Sequence, residues 1–377
     1  GTMTTPNSIL VLGAGVVGMS VGWRLAQAGV RVTVVDRGAA GAGASTAAAG
    51  MLAPTAEVTF EEEELLALNQ ASRTMYPDFV AEVQAAADLD IDYRSEGTLV
   101  VGLDRDDTEA LDHLLVYQQA LGLEAERLSG AEAAEREPAL SPSVHSAVWC
   151  PSDHQVDPRL LVRALKRACT HAGAVVLEHT EVTEVVHDGA RACGVHVRYA
   201  TGLEEILTAD CVLVATGAWT RALGGLERRQ KPHVRPVRGQ MLALKMPDAS
   251  FCTHVVRAPD AYLVPKSDGR MIVGATMEEM GFDTRLTAGG VFELLRGAWE
   301  TMPGVYDMPI VETWTGFRPM TLSNTPVLGP SPHLDALWFA TGHGRNGILL
   351  TPITGALMSE AILEGRVPEV LRPFQMR

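Results

Sequence analysis

Short apolar runs alternate with a glycine-rich turn at the start of the chain. An apolar run over residues 8–12 predicts a buried strand, and residues 17–28 follow it as a helix that ends at Gly29. The β-branched run over residues 30–35 predicts a second strand, which leads directly into Asp36. The pattern therefore predicts a βαβ unit with a glycine turn after its first strand and an acidic residue after its second.

Helical and strand patterns mix unevenly along the rest of the chain. Further helices are predicted over residues 60–90, 105–137, 158–172 and 345–363. Further strands are predicted over residues 91–103, 174–177 and 211–215. Alternating apolar runs over residues 233–280 predict an antiparallel sheet. Because the sequence shows no internal repeat and no long linker, its domains are expected to be interleaved rather than sequential.

Length and charge narrow the class of protein. With 377 residues, of which 46% are hydrophobic, the chain is long enough for two packed domains. Its formal net charge of -15 argues against a nucleic-acid partner, which needs a basic face to neutralise phosphates, and weakly against an anionic membrane surface. No apolar run reaches membrane-spanning length, and no basic segment precedes an apolar stretch, so a cytoplasmic protein is expected.

The cysteines are few and far apart. They stand at Cys150, Cys169, Cys193, Cys211 and Cys252. Because their number is odd and no CxxC or Cys/His cluster is present, reduced thiols are expected and no metal site is predicted.

Gly13, Gly15 and Gly18 form a GxGxxG motif between the first predicted strand and the helix. In a dinucleotide site the first glycine permits the tight turn, the second lets the backbone approach a pyrophosphate, and the third lets helix and strand pack closely. The helix N-terminus supplies N–H donors for phosphates, and Asp36 can accept hydrogen bonds from ribose hydroxyls. An ordinary βαβ turn is the alternative. Because Asp36 also suits NAD, the motif leaves FAD and NAD open.

A run of small residues, GAGASTAAAGML over residues 41–52, follows soon after the second predicted strand. Small side chains let a backbone run close beneath a flat ring or a diphosphate, and the hydroxyls of Ser45 and Thr46 can donate to phosphate oxygens. A flexible surface loop is the alternative, but the flanking apolar Met51 and Leu52 favour burial. This second segment favours FAD over NAD.

Several segments of the chain resemble the D-amino-acid-oxidase superfamily of flavoproteins, and the resemblance covers nearly the whole sequence. LVATGAW at 213–219 and TGHGRNGILL at 341–350 join the N-terminal motifs as segments typical of the superfamily. Three others are similar to segments of the glycine oxidases of thiamine biosynthesis: AAAGML at 47–52, YLVPKSDGRMIVGATME at 262–278 and GFRP at 316–319.

The resemblance implies an α/β fold, with a Rossmann-like FAD-binding domain and an inserted α+β substrate domain built on an antiparallel sheet. The FAD-binding domain would comprise residues 3–88, 148–230 and 313–377, and the substrate-binding domain residues 89–147 and 231–312. By the same resemblance the protein would be a homo-oligomer, since the family suggests a homotetramer.

The resemblance also implies which residues hold FAD. Val16 and Val17 correspond to positions beside the pyrophosphate, and Asp36 to a position near the adenosine. Residues 343–349 would present helix N-terminal N–H groups to the flavin pyrimidine, where a positive helix end stabilises an anionic reduced flavin. The full set implied for the cofactor is Gly13, Gly15, Val16, Val17, Gly18, Asp36, Arg37, Ala44, Ser45, Thr46, Ala49, Gly50, Met51, Val182, Gly217, His343, Gly344, Arg345, Asn346, Gly347, Ile348 and Leu349.

The attachment residues of related amine oxidases are missing from this sequence. Ala47 and Ala48 stand where a histidine linkage to the flavin can occur, and the region around Arg318 lacks cysteine. Non-covalent FAD is therefore expected.

A substrate amino acid brings a carboxylate into an apolar cavity, and that charge is costly to bury unless it is paired. Arginine is the natural partner because its planar fork matches a carboxylate in two bonds. Taken alone, Arg318 indicates a surface arginine or a structural ion pair, but the resemblance matches it to the arginine that binds the substrate carboxylate. By the same resemblance the Tyr262 hydroxyl assists it and Arg345 lies near the substrate. Met51 and Met277 would line the pocket, although methionine is also a common core residue.

The activity implied is oxidative deamination of glycine or another small amino acid or amine. A hydride would pass from Cα to flavin N5, and O2 would accept the electrons. The products would be an imine, which hydrolyses to an oxo acid and ammonia, and H2O2. No residue is placed as a general base, and none is required if the amine is neutral.

Other functions stay open. One is a D-amino-acid or glycine dehydrogenase with a non-oxygen acceptor, another a sarcosine-type secondary amine oxidase, and a third a non-catalytic flavin-binding scaffold. Retention of Arg318 and Tyr262 counts against the scaffold. Asp260 stands where related glycine oxidases can carry histidine, and Ser323-Asn324 replaces an Asp-Gly often seen after the Arg-Pro pair. Both departures leave the substrate open.

Overall fold

The computed structural model describes residues 4–58 and 63–377. The helices of these ranges are α1 (Val16–Gln27), α2 (Ala44–Ala47), α3 (Glu63–Ala87), α4 (Arg105–Ala120), α5 (Gly130–Arg136), α6 (Pro158–His171), α7 (Ala288–Thr301) and α8 (Thr351–Glu364). The strands are β1 (Ser8–Leu12), β2 (Arg31–Val35), β3 (Met51–Leu52), β4 (Thr98–Gly102), β5 (Glu126–Ser129), β6 (Ser146–Cys150), β7 (His154–Gln155), β8 (Val175–Leu177), β9 (Thr180–His187), β10 (Ala192–Tyr199), β11 (Glu204–Thr208), β12 (Cys211–Val214), β13 (Val234–Lys245), β14 (Val255–Arg257), β15 (Tyr262–Pro265), β16 (Arg270–Gly274), β17 (Ile310–Thr321), β18 (Val327–Pro330) and β19 (Leu337–Thr341).

A six-stranded sheet in the order β18-β19-β12-β1-β2-β8 forms one half of the molecule. Its strands run parallel except at the β18–β19 edge. Helices α1, α3, α6 and α8 pack on one face and the small antiparallel sheet β11-β10-β9 covers the other. Burial on both faces explains why β1 and β12 are continuous apolar runs. The predicted βαβ unit is confirmed, with α1 starting one residue earlier than expected, at Val16.

An eight-stranded sheet in the order β17-β13-β16-β15-β14-β4-β6-β5 forms the other half. Its neighbouring strands are antiparallel except for β14 beside β4. Helix α7 packs on this sheet through Leu294 and Ala298. The antiparallel sheet predicted over residues 233–280 is therefore present, and the α/β fold class with an antiparallel-sheet part is confirmed.

Two predicted segments are wrong in part. Residues 91–103 were expected to form strands on both sides of a turn, but only Thr98–Gly102 is a strand, and Arg94 makes a single bridge to Gln155. Residues 105–137 were expected to be helical throughout, but β5 separates α4 from α5. Gly122, with φ of 73°, follows the end of α4 in the left-handed conformation that commonly stops a helix. Of the helix predicted over residues 60–90, residues 60–62 lie outside the described ranges.

The last helix begins later than expected. Residues 344–346 form a 3-10 turn, and α8 starts at Thr351, where Pro352 occupies the first turn. Gly342 and Gly344, with φ of 79° and 60°, lie in the left-handed region at the start of this turn. The sheet β11-β10-β9 was not predicted at all. In the described ranges, no helix is long and apolar enough to cross a membrane.

Candidate active site

A cavity of about 650 Å³ lies where the two large sheets meet. The ends of β1 and β2 and the loop after β12 line one side, and β13, β15, β16 and β17 line the other. A cavity of this size at the carboxyl ends of parallel strands is typical of a nucleotide or cofactor site.

The glycine turn after β1 brings backbone close to backbone. Gly13 has φ of 110°, and a Cβ atom there would lie 2.1 Å from the carbonyl oxygen of Ala215. A Cβ on Gly18 would lie 2.1 Å from the carbonyl oxygen of Gly13, so the helix packs closely on the turn. Gly15, the N-cap of α1, has no side chain to accept from the first amides. The N–H groups of Ala14 and Val16 donate to Asp36 and Ser45, so it is the other N–H groups of the turn and of the first helical turn that could bind an anion in the cavity.

Asp36 fastens this turn from the end of β2. Its Oδ2 accepts a hydrogen bond from the backbone N–H of Ala14 at 2.7 Å, and its Oδ1 accepts from Gly38 at 2.9 Å. Burial raises the pKa of Asp36 above its ordinary value, although both hydrogen bonds favour the carboxylate. The next residue, Arg37, stacks on Trp219 with its guanidinium carbon 4.4 Å from the ring centroid. Both residues line the same end of the cavity.

The small-residue run over residues 41–52 is packed against the cavity rather than exposed as a loop. Ser45 Oγ accepts from the Val16 N–H at 3.1 Å, which ties the run to the start of α1. Thr46 Oγ1 instead donates to the carbonyl oxygen of Gly41 at 2.7 Å. A Cβ on Gly50 would lie 1.9 Å from the carbonyl oxygen of Val156, so only glycine fits there.

Lys266 holds the end of this run by a hydrogen bond to Ala49, a role that the sequence analysis does not predict. The residue is 1% exposed. Its Nζ donates to the carbonyl oxygens of Ala49 and Val156, at 2.7 and 3.0 Å, and to Gln155 Oε1 at 3.0 Å. Burial lowers the pKa of Lys266 to about 8. In the sequence, Lys266 directly follows the apolar strand β15 and precedes the turn residues Ser267 to Gly269, a position that gives no sign of burial.

The turn before α8 is held by α3. The hydroxyl of Tyr76 donates to the carbonyl oxygen of Ile348 at 2.5 Å, and that of Ser72 donates to Leu349 at 2.6 Å. His343 is 5% exposed and its Nε2 lies 3.2 Å from Thr354 Oγ1. Burial lowers the pKa of His343 to about 4, so the ring is neutral at physiological pH. The turn is thus fixed by hydrogen bonds to its carbonyl groups and lines the cavity with residues 343–345, 347 and 348.

Arg318 and Tyr262 meet at the opposite end of the cavity. Arg318 Nη1 donates to the carbonyl oxygen of Thr276 at 3.1 Å. The guanidinium lies over Gly239, where a Cβ atom would be 2.7 Å from Nη2. Burial raises the pKa of Tyr262, with the nearby charges of Arg318 and Arg257 opposing the rise. In the part of the chain that the structure describes, no acidic side chain forms an ion pair with Arg318. Its charge is therefore available to a ligand.

Arg257 and Glu57 form an ion pair on the same wall, which is not predictable from the sequence. Arg257 Nη1 donates to Glu57 Oε1 at 2.8 Å and lies 3.1 Å from Met51 Sδ. Its guanidinium carbon is 5.8 Å from the centroid of the Tyr262 ring. Because the two partners are 200 positions apart, only the fold brings them together.

Most of the residues predicted for the site line this one cavity. The lining includes Gly13, Gly15, Val16, Val17, Asp36, Arg37, Ala44, Ser45, Ala49, Gly50, Met51, Val182, Gly217, Tyr262, Met277, Arg318, His343, Gly344, Arg345, Gly347 and Ile348. Gly18, Thr46, Asn346 and Leu349 are predicted residues outside that lining. Met277 is 56% exposed and lies at the rim.

The chain matches the DAO family, described as FAD dependent oxidoreductase, over residues 8–361. It is 33% identical to glycine oxidase of Geobacillus kaustophilus, with 99% of this chain and 97% of the relative covered. It is 30% identical to hydrogen cyanide synthase subunit HcnC of Pseudomonas aeruginosa, with 80% and 72% covered.

Solved structures of two oxidases are similar in fold to this chain. The crystal structure of the Geobacillus kaustophilus glycine oxidase matches with a TM-score of 0.89, covering 99% of this chain and 98% of that one. The crystal structure of iminodiacetate oxidase from Chelativorans sp. BNC1 is 29% identical and matches with a TM-score of 0.85, covering 97% and 98%.

Proposed function

The chain belongs to the DAO family of FAD-dependent oxidoreductases, and we propose that it oxidises glycine or another small amino acid or amine with O2 as the acceptor. The observation that carries the proposal is Arg318, a guanidinium in the cavity wall beside Tyr262 with no acidic partner in the described part of the chain. The 33% identity to a glycine oxidase over nearly the full length of both chains supports it.

The cavity's backbone suits FAD. The Gly13 turn and the open N-terminus of α1 would take the pyrophosphate, and Asp36 and Arg37 would face the adenosine. The turn over residues 343–348 would face the flavin. When bound, FAD supplies the two-electron acceptor that oxidation of an amine requires. We expect it to be non-covalent, because Ala47 and Ala48 offer no nucleophile.

The substrate end would bind the carboxylate. Arg318 can form two parallel N–H···O bonds to it, and the Tyr262 hydroxyl can donate a third. Met51 beside the Arg257–Glu57 pair narrows the space left for a side chain. A small amino acid therefore suits this end better than a large one.

The overall reaction needs no general base from the chain. Glycine, O2 and water would give glyoxylate, ammonia and H2O2, so the carbon–nitrogen bond is oxidised and O2 is reduced by the same two electrons. The residues of the cavity orient a neutral amine and neutralise its carboxylate. Hydrolysis of the imine product requires only water.

A second candidate is a dehydrogenase that passes its electrons to an acceptor other than O2. The similarity to a hydrogen cyanide synthase subunit favours keeping it. Oxygen consumption and H2O2 formation should be measured with glycine, sarcosine, iminodiacetate and D-alanine, with an artificial electron acceptor in parallel. Turnover only with the artificial acceptor would identify a dehydrogenase, and no flavin reduction by any amine would refute both candidates.

We also propose the domain division expected from the sequence. The FAD-binding domain would comprise residues 3–88, 148–230 and 313–377, and the substrate-binding domain the intervening segments. All strands of the six-stranded sheet lie in the first set of segments, which supports that domain. Most strands of the eight-stranded sheet lie in the second set, but β6 and β17 cross the proposed boundaries at residues 148 and 313.

A further inference from the structure

Two neighbouring glutamates beyond β16 pair with two arginines of β13 in very different surroundings. Glu278 pairs with Arg238, whose side chain is 1% exposed, at 2.9 Å. Glu279 pairs with Arg235 at 2.5 Å, and these two side chains are 66% and 37% exposed. Successive side chains of an extended segment point in opposite directions. The Glu278 side chain is 28% exposed and reaches the buried Arg238, whereas Glu279 is mostly in solvent. Only the inner pair is placed to influence the cavity.

The carboxylate of Glu278 collects hydrogen bonds from three side chains. Arg238 Nη2 donates at 2.9 Å to Oε2, and Gln240 Nε2 and Thr276 Oγ1 donate at 2.8 and 2.7 Å to Oε1. The Arg238 bond is the main reason that the pKa of Glu278 falls to about 2. The backbone of Glu278 also exchanges two hydrogen bonds with that of Arg238, at 2.8 and 2.9 Å. Glu278 is thus charged and fixed at any working pH.

Thr276 connects this carboxylate to Arg318. Its hydroxyl accepts from the backbone N–H of Gln240 at 2.8 Å while donating to Glu278, and its carbonyl oxygen accepts from Arg318 Nη1 at 3.1 Å. Arg318 has no acidic partner in the described ranges, so that carbonyl oxygen and the Tyr262 hydroxyl are the groups that orient its guanidinium. Moving Thr276 would therefore move the fork.

We propose that Glu278 is a positioning residue, which holds Thr276 and through it the guanidinium of Arg318 in the orientation that receives the substrate carboxylate. The inference rests on the proposed function, since it assigns Arg318 to a carboxylate. A bidentate bond is sensitive to orientation, and a displacement near 1 Å can cost about 100-fold in rate. Because Glu278 does not reach the cavity lining, its effect is on carboxylate binding and not on the electron transfer itself.

The test measures carboxylate binding without turnover. Glycolate is titrated into the FAD-loaded protein, and its Kd is read from the change in the visible flavin spectrum, alongside KM and kcat for glycine. Glu278→Gln removes the charge and Glu279→Gln is its matched control on the exposed side. Thr276→Val removes the hydrogen bond from Thr276 Oγ1 to Glu278 and leaves the Arg238–Glu278 pair intact. Thr276→Ser keeps a hydroxyl that can form the same hydrogen bond.

We expect Glu278→Gln and Thr276→Val to raise the glycolate Kd and the glycine KM by about tenfold or more, with a smaller change in kcat. Glu279→Gln and Thr276→Ser should stay within about twofold of wild type. Should Glu278→Gln fail to fold, Thr276→Val decides the outcome. If wild type is active and both inner variants bind glycolate as wild type does, the positioning role is wrong and the proposed function stands. If wild type binds no carboxylate and oxidises no amino acid, the proposed function itself fails and the positioning role with it.

Discussion

The two ends of the cavity differ in the groups that line them. The end near α1 is mostly backbone: the Gly13 turn, the amides of the helix N-terminus and the small-residue run that ends at Gly50. The other end is made of long side chains, with Arg257 on β14, Tyr262 on β15 and Arg318 on β17. Backbone groups follow from local turns, whereas the side-chain cluster exists only after three strands come together. Changes at the first end should act on cofactor binding, and changes at the second on the substrate.

The strongest test of this division is Arg318→Ala. It would strand a substrate carboxylate in a partly dry pocket, which costs on the order of 3–5 kcal/mol, or about two to four decades in kcat/KM for glycine. FAD content should remain near that of wild type because other segments hold the cofactor. Arg318→Lys should recover only part of the loss, since a point charge cannot reproduce the fork.

An amine without a carboxylate provides the control for Arg318. Its kcat/KM should fall far less in Arg318→Ala, because no anion is left unpaired. A parallel loss of FAD content and of turnover on both kinds of amine would mean that Arg318 is a folding residue, and the division between the two ends would break down.

At the backbone end, Gly13→Ala should weaken FAD binding by at least about tenfold, equivalent to about 1.4 kcal/mol. The new Cβ would meet the Ala215 carbonyl oxygen at 2.1 Å in a backbone conformation with φ of 110°. Gly29→Ala is the matched control, because its φ is 90° but nothing lies within 4 Å of the new Cβ. It should lower stability by about 1 kcal/mol and leave the Kd for FAD unchanged. Equal effects of both variants on the Kd, measured by fluorescence titration of apoprotein, would contradict the account.

The backbone end of the cavity also contains a group, His343, that should make protein stability depend on pH. His343, at the backbone end, has a pKa lowered to about 4 from an ordinary 6.5, so folding favours its neutral form. Below pH 6.5 the unfolded chain takes up a proton at this ring, whereas the folded protein does so only near pH 4. The free energy of unfolding therefore falls by about 2–3 kcal/mol as the pH drops from 6.5 toward 4. Unfolding of the apoprotein by urea at several pH values should show this decline, and His343→Gln should flatten it. An unchanged slope in His343→Gln would assign the acid sensitivity to other groups.

The smallest effect on FAD binding is expected for Arg37, a side chain at the backbone end of the cavity. Arg37→Gln removes the stacking of Arg37 on Trp219, which is worth about 0.5–1 kcal/mol at an exposed site. The Kd for FAD should rise about two- to fivefold. Arg24→Gln breaks a similar stack on Trp23, 4.2 Å from the ring centroid, and also the ion pair of Arg24 with Glu82. Neither Arg24 nor Trp23 lines the cavity. A comparable change in both variants would place the effect in folding rather than in cofactor binding.

The same contrast explains what the sequence could predict. The Gly13–Gly18 turn and Asp36 lie within one local βαβ pattern, so their spacing alone indicated a nucleotide site. Arg318 and Tyr262 were assigned only through resemblance to a family, because nothing local distinguishes a ligand-binding arginine from a surface one. Lys266 and the Arg257–Glu57 pair depend on contacts across more than 100 positions, which no periodicity shows. The helix predicted over residues 345–363 starts too early, although Pro352, a residue favoured in the first turn of a helix, marks the true start of α8.

We expect one cavity to bind FAD at its backbone end and an amino acid at its side-chain end, close enough to react. Anaerobic mixing of the FAD-loaded protein with glycine, followed at the visible absorbance of the flavin, tests it most directly. We predict that the absorbance bleaches on mixing, recovers when O2 is admitted, and leaves about one H2O2 for each flavin reoxidised. A flavin that stays oxidised with glycine, sarcosine, iminodiacetate and D-alanine alike would contradict the account.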